Sequence, residues 1–256
     1  MAKIGLEVCV DGPAGLMAAV RGGASRIELC SALALGGLTP SPGFMRLAAS
    51  TGVDAYPMLR PHPGPFVYDH ADLDVIRGDL DAVRASGLPG AVIGANLVSG
   101  ALDVAGLEVL CAHAWGLGLK LTLHRAFDLV PDQAEALNQA ISLGFERVLT
   151  SGGARTAPEG AEQIAALVAQ AAGRISIMPG SGLTPATLGE VMRRTGAPEA
   201  HGSCGQAAGE RGLTAAHATQ AELLGFIGPR DRETDQAAVA AMVSILADIA
   251  VERAAP

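Results

Sequence analysis

Along the chain, short apolar runs alternate with longer stretches that place apolar residues every three or four positions, the periods of buried strands and amphipathic helices. Strands are expected at 4–10, 26–30, 53–60, 90–96, 119–124, 146–150, 174–178 and 199–203. Helical patterns fall between them at about 13–23, 43–50, 71–86, 103–116, 132–143, 158–172 and 184–194, and a last one follows at 234–252. Asp132 is placed to cap the helix it precedes, and Thr184 stands before a first-turn proline, Pro185. Pro57 interrupts the third strand pattern, because proline has no N–H for a ladder, and a bulge there would reconcile the two. Eight βα units predict an α/β chain whose parallel strands close into a (β/α)8 TIM barrel, with residues 1–256 as one domain. An open doubly wound sheet is the alternative, but no glycine-rich fingerprint follows the first strand. The stretch 204–233 lacks clear periodicity and is expected to be irregular.

Composition narrows the function classes. A chain of 256 residues with 49% hydrophobic and 17% charged positions is built to bury a core rather than to stay disordered. A net charge of −8 with no Lys/Arg-rich run argues against nucleic acid, whose phosphates need a basic face. No apolar run is long enough for a membrane span, and no charged-then-apolar leader precedes the first strand. Cys9, Cys30, Cys111 and Cys204 lack tight metal-site spacing and read as reduced thiols, so a cytoplasmic location is expected.

Strand parity then selects candidate chemistry. The stretches "GLEVC" (5–9) and "RIELC" (26–30) both place a glutamate two residues before a cysteine, so Glu7 shares a face with Cys9, and Glu28 with Cys30. The opposite face carries Leu6, Val8, Ile27 and Leu29, and Leu59, Leu121 and Leu123 follow the same rule in later strands. A charge on the helix-facing side would lose its hydration without a partner, so the apolar set faces the helices. Glu7, Cys9, Glu28, Cys30, Met58, Arg60, Thr122 and His124 are thereby expected inside the barrel, and His201 and Ser203 share one face of the eighth strand. Many of these lie near strand C-terminal ends, where barrel enzymes place their sites. A structural ion network closing the barrel is the plainer alternative.

Three motifs lead to the same mouth. "HRAFD" (124–128) offers His124, Arg125 and Asp128, a grouping suited to acid–base work or to a loop salt bridge. "TSGGART" and "PGSGLTP" follow the sixth and seventh strands. Their Ser151, Gly152, Gly153, Gly180, Ser181 and Gly182 are candidates to bind an anion through backbone N–H groups, unless they only turn the chain. Buried cysteines can also be simple apolar filler, the expected role of Cys111.

Together, "LEVCVD", "RGGASRIELCSALALGGLTPSPG", "LHRAFD", "FERVLTSGGA" and "MPGSG" closely resemble the CutC family, named for copper homeostasis, from residue 4 to about 203. This chain departs from the usual family pattern at "RPHPGPF" (60–66), "GSG" (180–182) and "AHGS" (200–203). The resemblance implies a TIM barrel, a cytoplasmic location and Cu(I) binding, with Cys9 and Cys30 at the positions proposed as copper ligands. Two functions follow. One is copper handling through those thiols, which are soft ligands. The other is an enzyme (isomerase, lyase or hydrolase) on a small anionic or phosphorylated substrate. In it Glu7, Glu28, Arg60, His124 and Asp128 form the catalytic set and the two glycine loops hold the anion. A homo-oligomer is compatible with either.

Overall fold

The structure is a computed structural model that describes residues 4–207, 214–225 and 232–255. Strands β1 (Gly5–Val10), β2 (Arg26–Leu29), β3 (Ala55–Pro57) and β4 (Gly90–Ile93) alternate with helices α1 (Pro13–Gly22), α2 (Pro42–Ala49) and α3 (His70–Ala85). The alternation continues through α4 (Val104–Gly116), β5 (Lys120–Leu123), α5 (Gln133–Ser142), β6 (Arg147–Thr150) and α6 (Ala161–Ala171). It closes with β7 (Ser176–Pro179), α7 (Leu188–Thr195) and β8 (Glu199–Gly202). Parallel ladders run in the orders β3-β2-β1-β8 and β4-β5-β6-β7. A Met58–Val92 bridge joins the halves on one side, and β7 packs beside β8 on the other. The expected (β/α)8 barrel is the observed fold.

Pro57 sits at that seam. The Met58 N–H bonds Leu29 on the β2 side, and the Leu59 N–H bonds Val92 on the β4 side. Donors alternate along a strand, so the N–H that Pro57 lacks would face β4, where the ladder shrinks to a bridge. The third strand therefore ends early, well short of the expected 53–60.

Helix starts follow side-chain chemistry. Asp132 accepts from the Ala134 and Glu135 N–H groups at 3.0 Å, as its position before α5 predicts. Asp69 and Asp72 form a reciprocal capping box on α3. The expected start at Thr184 moves, because α7 begins at Leu188. There the Thr184 N–H donates to Thr187 Oγ1 at 3.0 Å, and the Thr187 N–H donates to the Thr184 carbonyl at 3.1 Å. A threonine side chain that bonds local backbone competes with the helix and delays it.

The stretch 204–233 is more ordered than its sequence suggests. It carries β9 (Gly205–Ala207), α8 (Ala215–Leu223) and the start of β10 (Arg232–Thr234), which pairs antiparallel with β9. The remainder of that stretch, 208–213 and 226–231, lies outside the described residues. Helix α9 (Gln236–Ala254), capped by Asp235, packs against α1 and α7. It thus serves as the eighth outer helix, and the β9–β10 pair forms an excursion at the C-terminal mouth.

Parity holds in the core. Leu6, Val8, Ile27, Leu29, Leu59, Leu121 and Leu123 are fully buried in one cluster with the inner faces of the helices. Each such side chain contributes roughly 1.5–3 kcal/mol through lost contact with water. Inside the barrel, Cys30, Tyr56, Met58 and Val92 form a separate small cluster. Strand β4 and its continuation turn two glycines inward. A Cβ on Gly90 would meet the Tyr56 ring at 2.6 Å, and one on Gly94 would meet the His124 ring at 2.5 Å. The absent side chains make room for these two rings.

Candidate functional site

Arg26, Arg147, Ser176 and Glu199 stand at strand starts and share the inward parity, so they form the lower layer of the interior. Arg26 Nε pairs with Glu7 Oε2, and its Nη2 lies 2.6 Å from Glu199 Oε2. Arg147 Nε reaches Glu199 Oε1 at 3.2 Å, its Nη1 donates to Thr122 Oγ1 at 3.1 Å, and the Ser176 hydroxyl donates to Glu199. The Tyr56 ring lies under both guanidinium groups, 5.6 Å from Arg26 and 5.1 Å from Arg147. Burial by itself would raise the Glu7 carboxyl, but Arg26 and the His201 hydrogen bond outweigh it and hold Glu7 at about 2. Glu199 is lowered in the same way, burial being overcome by Arg26 and Arg147.

His201 links this layer to the mouth. Its Nδ1 lies 2.9 Å from Glu7 Oε1, and its Nε2 lies 3.8 Å from Glu28 Oε2. The Cys30 thiol points to the same Glu28 oxygen at 3.7 Å. Cys9, Glu28 and His201 each offer one ligand atom, and these three atoms lie within 4.8 Å of one another. Burial and the neighbouring Glu7 charge raise the Glu28 carboxyl to about 7, although His201 pulls the other way. Burial would lower His201, but Cys9, Glu28 and Glu7 lift it well above the ordinary histidine range. The Cys30 thiol is pushed up by burial and by Glu28.

Arg60 and His124 form a second group, with no hydrogen bond to the first. Arg60 donates at 3.0 Å to the carbonyls of Leu35, Gly37 and Gly64, and its guanidinium lies 4.7 Å from the Phe66 ring centre. His124 packs against the same ring at 4.6 Å, and its Nδ1 accepts from the Ala126 N–H at 3.1 Å. Burial, reinforced by the Arg60 charge, lowers His124 to about 3, so the ring is neutral. The four groups Glu7, Glu28, Arg60 and His124 therefore face inward, but as two separate clusters.

Asp128 has a different task. It pairs with Arg125 Nε at 2.6 Å and accepts from Thr150 Oγ1 at 2.5 Å. It also accepts from the N–H groups of Ser151 and Gly153, each at 3.1 Å, and from the Ser151 hydroxyl at 3.0 Å. The Gly152 N–H goes to Thr150 Oγ1 at 2.8 Å. The donors expected to hold an external anion at Ser151–Gly153 are thus engaged, chiefly by a carboxylate fixed in the chain itself. Of the second loop, the Gly180 N–H bonds the Thr150 carbonyl at 2.9 Å. Ser181 and Gly182, in contrast, line a cavity of about 300 Å³ with Cys9, Arg125, Leu183, His201, Gly202 and Ser203. Ser151, Gly152 and Gly153 do not line that cavity. A second cavity, about 330 Å³, adjoins it through Cys9 and Ser203, and Arg232, Glu233 and Thr234 of the β10 excursion form part of its wall.

Sequence parity could have supplied residues that it did not single out. Arg26 stands two before Glu28, and Glu199 two before His201, so each inherits an inward direction. Which of them meet across the barrel depends on strand stagger, which a single strand does not reveal.

The CutC family model matches residues 4–206. A CutC family protein of Caulobacter vibrioides is 55% identical over 244 residues, 95% of this chain and 97% of the relative. Another, from Sinorhizobium medicae, is 54% identical over 254 residues, 98% and 100% of the two chains. The crystal structure of CutC from Streptococcus agalactiae, a protein named for copper homeostasis, superposes with a TM-score of 0.74 at 33% identity, covering 78% of this chain and 98% of that one. Phosphoribosyl anthranilate isomerase from Thermotoga maritima, at 12% identity and a TM-score of 0.55, shares the fold. Sequence, topology and interior residues converge: this chain belongs to the CutC family.

Proposed function

We propose that the protein acts in copper homeostasis and takes Cu(I) as cargo at the barrel mouth, on Cys9 and His201 with Glu28 beside them. One observation carries this reading: the convergence of a thiol, an imidazole and a carboxylate within 4.8 Å. Thiolate and imidazole suit soft Cu(I), whereas the harder Glu28 balances charge at the rim. Cys30 contacts Glu28 and serves as the supporting thiol. Ligation needs Cys9 as thiolate and His201 without the proton its neighbours favour, so affinity rises with pH. All four cysteines are free thiols, which supports a reducing, cytoplasmic setting. Among the described residues no helix is long and apolar enough to cross a membrane.

The test is a Cu(I) competition titration against a chromogenic chelator under anaerobic, reducing conditions. The parent is expected to take up one equivalent, and Cys9→Ser and His201→Gln each to lose most of the affinity. Unchanged uptake by the double variant would overturn the assignment.

A second reading is favoured by Glu28, whose carboxyl near 7 stands beside His201 in the manner of a proton carrier. In that reading the protein is an acid–base enzyme on a small anion, and turnover is lost in Glu28→Gln while Cu(I) uptake persists.

A further inference from the structure

The two cavities at the mouth differ in lining. The one containing Arg232 also holds Asp11 and Glu233. The one beside the β7 loop holds Arg125 and His201 and has no carboxylate in its lining. Each basic side chain is paired behind the wall, Arg125 with Asp128 and His201 with Glu7, so the cavity is distinguished by the donors it turns toward its interior and not by net charge. Its basic groups are also incompletely used. Arg125 gives Nε to Asp128 and Nη2 to the Ser151 hydroxyl at 2.7 Å, which leaves Nη1 without a protein acceptor among the described residues. The N–H groups of Ser181 and Gly182 likewise have no acceptor among the described residues. Both residues are held at positive φ, 75° and 73°; for serine this conformation is unfavourable by on the order of 1 kcal/mol or more. Asp128, the carboxylate on Arg125, is itself taken up by Thr150, Ser151 and Gly153.

We propose that the cavity formed by Arg125, Ser181, Gly182, His201 and Ser203 binds the oxyanion head group of a small organic anion, a phosphate ester or a carboxylate, next to the Cys9 thiol. Arg125 Nη1 and the two backbone N–H groups supply the donors, and the Ser203 hydroxyl stands at the rim. About 300 Å³ holds such a head group together with a short carbon skeleton. The site stands whether the chain carries copper or turns over a substrate, because its donors, Arg125 Nη1 and the Ser181 and Gly182 N–H groups, lie outside the metal cluster, although Cys9 and His201 of that cluster also line the cavity.

The experiment is isothermal calorimetry on the metal-free parent protein, with inorganic phosphate in one arm and succinate in the other. Saturable binding is expected in at least one arm, and the tighter arm identifies the head group. Arg125→Gln is expected to weaken binding about tenfold or more, the effect of losing a charge-assisted donor. Arg125 also ties down Asp128, so Ser203→Asp provides an independent variant: it places a carboxylate at an exposed position on the cavity wall and should weaken binding comparably. Arg193→Gln, which removes the same charge from a distant surface pair with Glu252, should leave binding unchanged. Absence of saturable binding in both arms overturns the proposal. So does parent-like affinity in Ser203→Asp, or an equal loss in Arg193→Gln.

Discussion

At the strand N-terminal ends of the barrel, Glu7, Glu199, Arg26 and Arg147 bond to one another, with Thr122, Ser176 and the Tyr56 ring filling the remaining positions. At the C-terminal ends, Glu28 Oε1, Arg60 Nε, Asn96 Oδ1 and His124 Nε2 are buried with no hydrogen-bond partner among the described residues. Glutamate and arginine occur in both places. A buried polar atom left unbonded is destabilising by about 1–3 kcal/mol, so a fold concerned with stability alone would complete both ends as it completes the lower one. The lower end reads as scaffold, and the upper end as the place where something else is meant to bind.

The most severe way to break this comparison is Arg26→Met. It removes the guanidinium that Glu7 and Glu199 share, leaving Glu7 to His201 and Glu199 to Arg147 and Ser176, and about 3–5 kcal/mol of stability should be lost in a denaturant titration. A loss under about 1 kcal/mol would show that the lower network is not scaffold, since that is within the range of ordinary surface changes.

Glu28→Gln should behave in the opposite sense. The folded carboxyl titrates at about 7, above its ordinary 4.5, so between those values the unfolded chain binds fewer protons. Parent stability should therefore fall as pH rises from 4.5 to 7, by on the order of 2–3 kcal/mol, and the glutamine variant should flatten that decline. A parent whose stability is level across this window would contradict the picture of Glu28 as a strained carboxyl.

The two interior histidines sharpen the contrast without any substitution. His201 is held charged by its acidic neighbours, and His124 is held neutral down to about 3. Nitrogen NMR at pH 7 should find His201 doubly protonated and His124 protonated at Nε2 alone, because its Nδ1 accepts the Ala126 N–H. His124 also contributes stability that is lost as pH falls from 6.5 toward 3, since the unfolded ring takes the proton first. The smallest effect belongs to Cys111→Ala, in the helix-side core. It should lower stability by about 1 kcal/mol and leave Cu(I) uptake unaltered.

Much of this division is written in strand parity. A period of two tells which side chains turn inward, and it does so for Glu7, Cys9, Glu28 and Cys30 as well as for Leu6 and Ile27. The eight βα units are equally visible, because each strand and helix has its own period. What a single strand does not contain is its neighbour's height. Cys9 pairs in register with Glu28, not with Cys30, and this is why a carboxylate and the His201 ring join Cys9 while the second thiol stands one step away. The Asp128 loop was equally hidden. Glycine-rich turns advertise free N–H groups, but the carboxylate that occupies them comes from a loop 23 residues earlier. Thr184 shows a finer limit, because a cap and a competing turn use the same hydroxyl chemistry.

The two inward glycines beside Val92 bear on where anything inside this barrel can sit. Tyr56 and His124 lean into the space that Gly90 and Gly94 leave vacant, so the rings crowd the wall of β4. In a ring of eight strands the wall facing β4 is β8, and there the cavities touch Cys9, His201 and Ser203. The interior is thus eccentric: its filled side and its free side are set by where side chains are missing. Enlarging Gly94 would push the His124 ring toward the axis and narrow the interior from the far side, so an occupant at β8 is governed by residues it never touches.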